Sequence, residues 1–301
     1  MTDTSARTAS PWLVNRTPRP TAPLRMYCFP HSGGYIGEFL RWDGELPEAE
    51  LWGVQLPGRG ARIDEPSHTA LPSLVAELVE EAVFEPPFVF FGHSLGALLA
   101  YETARALRAL GRTGPRRLIL SACPAPHLPR TLPPLRGLGD RELFAAIQGH
   151  YGSLSAELAA DDELLALTMS SHRADFTVVE TYRHRQGPPL DIPFQVIGGT
   201  DDRMSADDLA QWRIHTQAAT DVRLLPGGHF YLRDRRTDTL DVIRRAITLP
   251  APAAPAPATI PAPAPAAPAP ATIPAPAPAP APVPVPRTFP HPSGRENDDG
   301  S

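Results

Sequence analysis

Gly92-His93-Ser94-Leu95-Gly96 sets a serine between two glycines, directly after the apolar run Phe88-Val89-Phe90-Phe91 and directly before a segment of helical periodicity. A serine at so tight a strand-to-helix turn stands at the tip of the turn with its hydroxyl exposed, and the flanking glycines let neighbouring backbone pass. A hydroxyl is a poor nucleophile at neutral pH. Chemistry at Ser94 therefore calls for a base within hydrogen-bond reach and an acid that orients the base. Of the 10 histidines, His229 is the candidate base, because Leu224-Leu225-Pro226-Gly227-Gly228-His229-Phe230 ends a predicted strand in two glycines that deliver the ring to the sheet's edge. The acid is expected in Gly198-Gly199-Thr200-Asp201-Asp202, where the preceding strand ends. A Gly-x-x-Asp reading from Gly199 favours Asp202, with Asp201 as the alternative. Charge developing on an attacked carbonyl oxygen needs two donors, one of them the backbone N–H after the nucleophile, at Leu95. The second is assigned to the N–H of Ser32 in Cys28-Phe29-Pro30-His31-Ser32-Gly33-Gly34, with Gly33 next in order.

Those residues need a scaffold, and the sequence supplies one. Strands are predicted at Leu24 to Phe29, Leu51 to Gln55, Phe88 to Phe91, Arg117 to Ala122, Phe194 to Ile197 and Val222 to Leu225. Helical periodicity lies between most of them, at Ile36 to Trp42, Pro72 to Phe84, Leu95 to Leu110, Ala206 to Gln217 and Thr237 to Ile247. This alternation predicts an α/β protein, a mostly parallel sheet flanked by helices. With the strand–serine–helix turn it specifies the α/β-hydrolase fold, in which the nucleophile, acid and histidine follow one another in that chain order. One interval breaks the rhythm. Between the fourth and fifth predicted strands the chain offers three further helices, Asp140 to His150, Asp161 to Ser171 and Arg173 to Arg183, expected to form an inserted helical lid over about residues 123–190.

Length and charge narrow the classes of partner. The chain has 301 residues and a net charge of -5, with no long Lys/Arg cluster, so a nucleic-acid surface has no support. Its 2 cysteines, Cys28 and Cys123, each end a predicted buried strand and are expected as reduced, packed thiols, with no metal site and no cofactor. Residues 1–20 are polar, lack an apolar signal core and are expected to be a flexible segment; no apolar run is long enough to cross a bilayer. A cytoplasmic, monomeric protein is expected. Residues 21–249 would form the single α/β domain. From Pro250 to Pro286 the chain is almost pure Pro and Ala, so residues 250–301 are expected to be a disordered, extended tail.

With these segments in hand, the chain resembles the stand-alone type II thioesterases of polyketide synthases and nonribosomal peptide synthetases, over about residues 12 to 248. Beyond the candidate triad, the likeness rests on Cys28-Phe29-Pro30-His31-Ser32-Gly33-Gly34, Val54-Gln55-Leu56-Pro57-Gly58-Arg59-Gly60, Ala97 with Tyr101-Glu102, Ala174-Asp175-Phe176 with Glu180-Thr181-Tyr182, and Pro226-Gly227-Gly228-His229-Phe230. After Asp202 that family usually has a proline and one more residue, whereas Arg203-Met204 follows directly here. The resemblance implies hydrolysis of acyl thioesters held on the phosphopantetheine arm of an acyl or peptidyl carrier protein, which clears stalled or mis-primed units. The lid residues Leu143, Phe144, Ile147, Leu164, Leu167, Phe176 and Val179 are then expected to line an acyl pocket or pack against the sheet. Arg59, Arg62 and Arg183 are expected as exposed charges that could dock a carrier. The alternatives are a free-standing carboxylesterase or lipase-like hydrolase with the same triad, and a non-catalytic α/β-hydrolase that binds a partner.

Overall fold

A computed structural model of the chain describes residues 10–248 apart from residue 153. The expected tail at 250–301 and the first nine residues of the expected N-terminal segment lie outside the described residues. In chain order the elements are β1 (Leu13–Val14), β2 (Arg25–Phe29), α1 (Gly37–Leu40), β3 (Glu50–Val54), α2 (Leu71–Glu81), β4 (Phe88–His93), α3 (Leu95–Ala109) and β5 (Leu118–Ser121). There follow α4 (Asp140–Tyr151), α5 (Asp162–Thr181), β6 (Phe194–Gly199), α6 (Ala206–Ala210), β7 (Thr220–Leu225), α7 (Tyr231–Asp234) and α8 (Arg236–Thr248). The strands form one sheet in the order β1-β3-β2-β4-β5-β6-β7. Every pairing is parallel except that of β1 with β3.

The apolar run that ends at Ser94 becomes β4, the middle strand, and all six of its residues are buried. Successive side chains of a strand point to opposite faces, so a strand covered on both faces must be apolar throughout. Phe88 and Phe90 pack with Tyr27, Leu118 and Phe194 against α2 and α3, where Leu74, Leu78, Leu98 and Leu99 meet them. Val89 and Phe91 pack with Met26, Cys28, Ile119 and Ile197 on the other face, against Phe39, Trp42, Leu240 and Ile243. Two packed layers around one sheet therefore hold the strand that presents Ser94. Cys28 and Cys123 are both buried and free, and burial pushes the Cys123 thiol up to about 12.

The elements α4 and α5 fall between β5 and β6, the interval where an insertion is expected. Here the sequence reading needs correction. Asp161 to Ser171 and Arg173 to Arg183 are one continuous helix, α5, of 20 residues. Neither Gly nor Pro interrupts Ser171-His172-Arg173, so nothing stops propagation across it. Asp161 caps the helix, accepting from the N–H groups of Glu163 and Leu164 at 3.0 Å each. Leu143, Ile147 and Phe176 belong to neither of the two cores beside the sheet. They pack among themselves with Leu135, Leu165 and Met169 in a third small core, and Phe144 lies against it. Leu164 and Leu167 are about half exposed, at 48% and 52%.

A second correction concerns residues 10–20. Trp12 is fully buried, its indole N–H donates to Glu81 at 2.9 Å, and the Arg62 guanidinium lies 4.2 Å from the ring centroid. Leu13 and Val14 pair with Val54 and Gly53 of β3, and the Arg19 N–H donates to Glu50. Polar flanks and a proline mask this strand in the sequence; its stabilisation comes from a tryptophan and a neighbour far along the chain.

Candidate active site

The turn from β4 into α3 holds Ser94 at φ 56° and ψ -119°, a backbone conformation unusual for a residue with a side chain. Surrounding contacts enforce it. The Ser94 N–H donates to the Ser121 carbonyl at 2.8 Å, tying the turn to β5. A Cβ at Gly92 would sit 2.1 Å from the Gly96 carbonyl oxygen, and one at Gly96 would sit 2.1 Å from the Phe29 carbonyl oxygen. Both approaches are closer than any real side chain tolerates, so the serine can occupy the tip only because its neighbours are glycines. Beneath it, His93 is completely buried and shares a hydrogen bond of 2.8 Å with Ser121 Oγ, which in turn meets the Tyr231 hydroxyl at 2.5 Å.

The loops after β6 and β7 bring the other two candidates to the same place. The His229 Nδ1–H donates to Asp202 Oδ2 at 2.8 Å, with side-chain exposures of 8% and 6%. The second oxygen of that carboxylate accepts from the Arg203 N–H at 2.7 Å, so both oxygens are oriented. Asp201, one residue earlier, is exposed, and among the described residues its carboxylate takes only the Thr200 hydroxyl at 3.2 Å. Ser205, not Asp201, caps α6. Of the two adjacent aspartates, it is Asp202 that meets the imidazole. Donation from Nδ1 leaves Nε2 as the basic nitrogen of His229. Ser94, Leu95, Asp202 and His229 all line one cavity of 230 Å³, with Leu98, Leu128, Val179, Tyr182 and Met204 supplying apolar wall. Of the seven lid side chains expected to line a pocket, Val179 alone contributes to this cavity.

Two amides are the candidates to meet a negative oxygen beside Ser94, and of these Leu95 lines the cavity with it. Leu95 opens α3, so its N–H has no intrahelical acceptor and carries the positive end of the helix dipole. In the loop after β2, the Gly34 N–H donates to the His31 carbonyl at 2.8 Å and the Gly33 N–H donates to Asp175 Oδ2 at 2.7 Å. Both are thereby engaged. The Ser32 N–H takes no acceptor among the described residues, so it is free to donate.

Two contacts at this site were not legible in the sequence. Tyr151, the last residue of α4, lies 4.7 Å centroid to centroid from His229, and the Arg203 guanidinium lies 5.3 Å from its ring. No local signal marks Tyr151, because its partner is 78 positions away. Arg59 and Arg62, expected as exposed docking charges, are buried at 2% and 5%. Arg62 is held by Glu65 and the Gln55 carbonyl, and Arg59 forms a two-pronged ion pair with Asp175 at 2.7 Å on each prong. An arginine needs such partners to leave water, and a fork matched to a carboxylate provides them. Arg183 is exposed as expected, although its guanidinium donates to the Glu180 and Tyr182 carbonyls. Around Ser94, burial holds His31 and His93 well below the ordinary histidine range, so both rings are neutral at pH 7.

The family model for the thioesterase domain matches residues 24–247. Thioesterase PikA5 of Streptomyces venezuelae is 37% identical over 232 residues, covering 74% of this chain and 81% of that protein. Linear gramicidin dehydrogenase LgrE of Brevibacillus parabrevis is 33% identical over 244 residues, 79% of this chain and 93% of that one. Among solved structures, the type II thioesterase BorB from the borrelidin biosynthetic cluster matches with a TM-score of 0.70 at 33% identity, covering 78% of this chain and 96% of its own.

Proposed function

The chain belongs to the thioesterase domain family and is a hydrolase of thioester bonds; from that premise we propose that it is a type II thioesterase that removes acyl groups from the phosphopantetheine arm of a carrier protein. Its task would be editing, the clearance of stalled or mis-primed units from a polyketide or nonribosomal peptide assembly line. The observation that carries the reading is the 2.8 Å contact between His229 and Asp202 at a cavity that also holds Ser94. The dehydrogenase in the name of LgrE is not carried over: a serine, an oriented imidazole and two amides are the parts of acyl transfer rather than hydride transfer.

In this mechanism His229 Nε2 takes the proton of Ser94 Oγ as the oxygen attacks the thioester carbonyl carbon. The resulting oxyanion accepts from the Leu95 and Ser32 amides, while Asp202 holds the imidazole and stabilises its charged form. The carbon–sulfur bond then breaks, the thiol leaves with the proton from His229, and the acyl group remains on Ser94 as an ester. Water repeats the sequence. It gives a proton to His229, adds to the ester carbon and displaces Ser94 Oγ, which recovers the proton as the free acid departs. A thiol leaves more readily than an amine because its conjugate base is stable at a pKa of about 8.5, so the imidazolium has less protonation to do.

The apolar wall of the cavity suits an acyl chain, with α4 and α5 as the lid above it. No helix among the described residues is long and apolar enough to cross a membrane, and a cytoplasmic, monomeric enzyme meeting acyl-carrier proteins fits this reading. The test is turnover of an acyl-carrier thioester. Ser94→Ala is expected to abolish hydrolysis and labelling by a fluorophosphonate while leaving the circular dichroism spectrum unchanged. Wild-type rates in that variant would overturn the mechanism, and faster turnover of an alkyl ester than of the acyl-carrier thioester would move the assignment to a carboxylesterase.

A further inference from the structure

Asp175 lies in the middle of the inserted helix α5 and is only 2% exposed, yet it touches neither Ser94 nor His229 in the contacts described above. Its carboxylate is saturated from two other parts of the chain. Oδ2 accepts from the Gly33 N–H at 2.7 Å and from Arg59 Nη1 at 2.7 Å, while Oδ1 accepts from Arg59 Nη2 at 2.7 Å. Gly33 belongs to the loop after β2 and Arg59 to the loop after β3, 142 and 116 positions away from Asp175. Burying a carboxylate and a guanidinium is costly, and an ion pair of this kind is a weak device for stability. The direction of its third hydrogen bond suggests what it does instead.

That third bond goes to the turn that holds Ser32. The Gly34 N–H donates to the His31 carbonyl, closing a four-residue turn with Ser32 and Gly33 at its centre. Gly33 sits at φ +67°, the left-handed value that such a turn requires at its third position. A turn closed in this way moves as a unit, so fixing the Gly33 N–H also fixes where the preceding N–H, that of Ser32, points. The same helix clamps the turn from the side. A Cβ at Gly33 would lie 2.1 Å from the His172 ring, one helical turn before Asp175. The ring itself is pinned by its Nδ1 contact with the Thr168 carbonyl at 2.9 Å.

We propose that Asp175, with its carboxylate fixed by Arg59, is the positioning residue of the Ser32 oxyanion donor, so that the inserted helix α5 completes the active site in addition to covering it. The inference rests on the acyl-transfer reading above and adds a role for a residue outside the triad. An amide aimed in advance at the developing oxyanion stabilises the transition state, whereas the bound substrate gains little from it. Loss of the aim should therefore lower kcat and leave KM nearly unchanged.

The experiment compares wild type with Asp175→Leu/Arg59→Met, which removes both charges together while keeping apolar bulk, and with Asp175→Asn/Arg59→Met, which keeps a neutral acceptor for Gly33. Rates are taken per active site titrated with a fluorophosphonate, so misfolded molecules do not count. Each enzyme is assayed on an acyl thioester and on the matching dithioester, whose sulfur in place of the carbonyl oxygen accepts hydrogen bonds poorly. The leucine variant is expected to lose about 10- to 100-fold in kcat on the thioester, at or below the roughly 10²- to 10³-fold cost of removing an oxyanion donor outright because the amide is mis-aimed and still present, with much less loss on the dithioester. The asparagine variant should recover most of that rate. Equal losses on both substrates, a wild-type kcat per titrated site, or no rescue by asparagine would overturn the proposal, because a purely structural pair gives those results. If the wild-type protein itself hydrolyses no thioester, or Ser94→Ala remains active, the acyl-transfer reading fails instead.

Discussion

Asp201 and Asp202 differ by one position and in what their carboxylates meet. Asp202 takes the Nδ1–H of His229 on one oxygen and the Arg203 N–H on the other, while Asp201 is exposed beside Thr200. Asp202→Asn should lower kcat by about 10³- to 10⁴-fold, because an amide in that place no longer favours the Nε2-basic tautomer or stabilises the imidazolium. Asp201→Asn should stay within about threefold of wild type, as exposed substitutions away from a site generally do. Steady-state kinetics of the two variants on one acyl thioester check the assignment, and the reverse ranking would move the acid to Asp201. The sequence reached these two residues and no further. Gly199 brings the chain close to Gly227 and Gly228, a packing invisible in the local pattern, and in the fold so formed it is Asp202 that meets His229.

At the scale of the elements, the strand–serine–helix turn was the most legible part of the chain, since its physical demands are local. Gly96→Ala would drive a Cβ to 2.1 Å from the Phe29 carbonyl oxygen and 2.6 Å from its carbon, both main-chain atoms that cannot swing away. We expect it to destabilise the protein by about 2–3 kcal/mol, the range for overpacking, and to lower activity with it. Urea unfolding followed by circular dichroism measures the first effect. The short edge strand β1 was illegible for the opposite reason: its partner Val54 and the cover over Trp12 are remote in sequence. Trp12→Ala should cost about 3–5 kcal/mol, the range for emptying a buried aromatic site, whereas a truly flexible residue would cost nothing. A midpoint in urea unchanged by Trp12→Ala would restore the expectation of an unstructured segment through residue 20.

For the whole molecule, neutral buried histidines link stability to pH. Burial lowers His31 and His93 well below their ordinary value and lowers His215 to about 4. In the unfolded chain the same rings take up protons below about pH 6.5. Above that pH both states hold these rings neutral and the stability is fully present. As pH falls below it, the unfolded state binds more protons than the folded one and stability declines, by up to about 1.4 kcal/mol per pH unit for each ring. The midpoint of thermal unfolding should therefore drop steadily between pH 6.5 and pH 5. A midpoint that is flat or rising over that interval would show that these rings titrate normally in the fold.

The sequence alone determined the elements whose causes lie within a few residues of one another. These are the doubly buried strand β4, the glycine-flanked serine, the Gly-Gly-His segment at 227–229, the insertion between β5 and β6, and the family likeness they spell out together. Tertiary structure decided which groups meet. It turned Asp202 rather than Asp201 toward His229, fused two expected helices into α5, and took Arg59 and Arg62 from the surface into the interior. It also carried Asp175 across the fold to the turn beside Ser32. The division follows from range: backbone strain, periodicity and turn chemistry act between neighbours in the chain, whereas burial, ion pairing and hydrogen-bond choice depend on atoms that only the packed sheet and helices bring within a few ångströms.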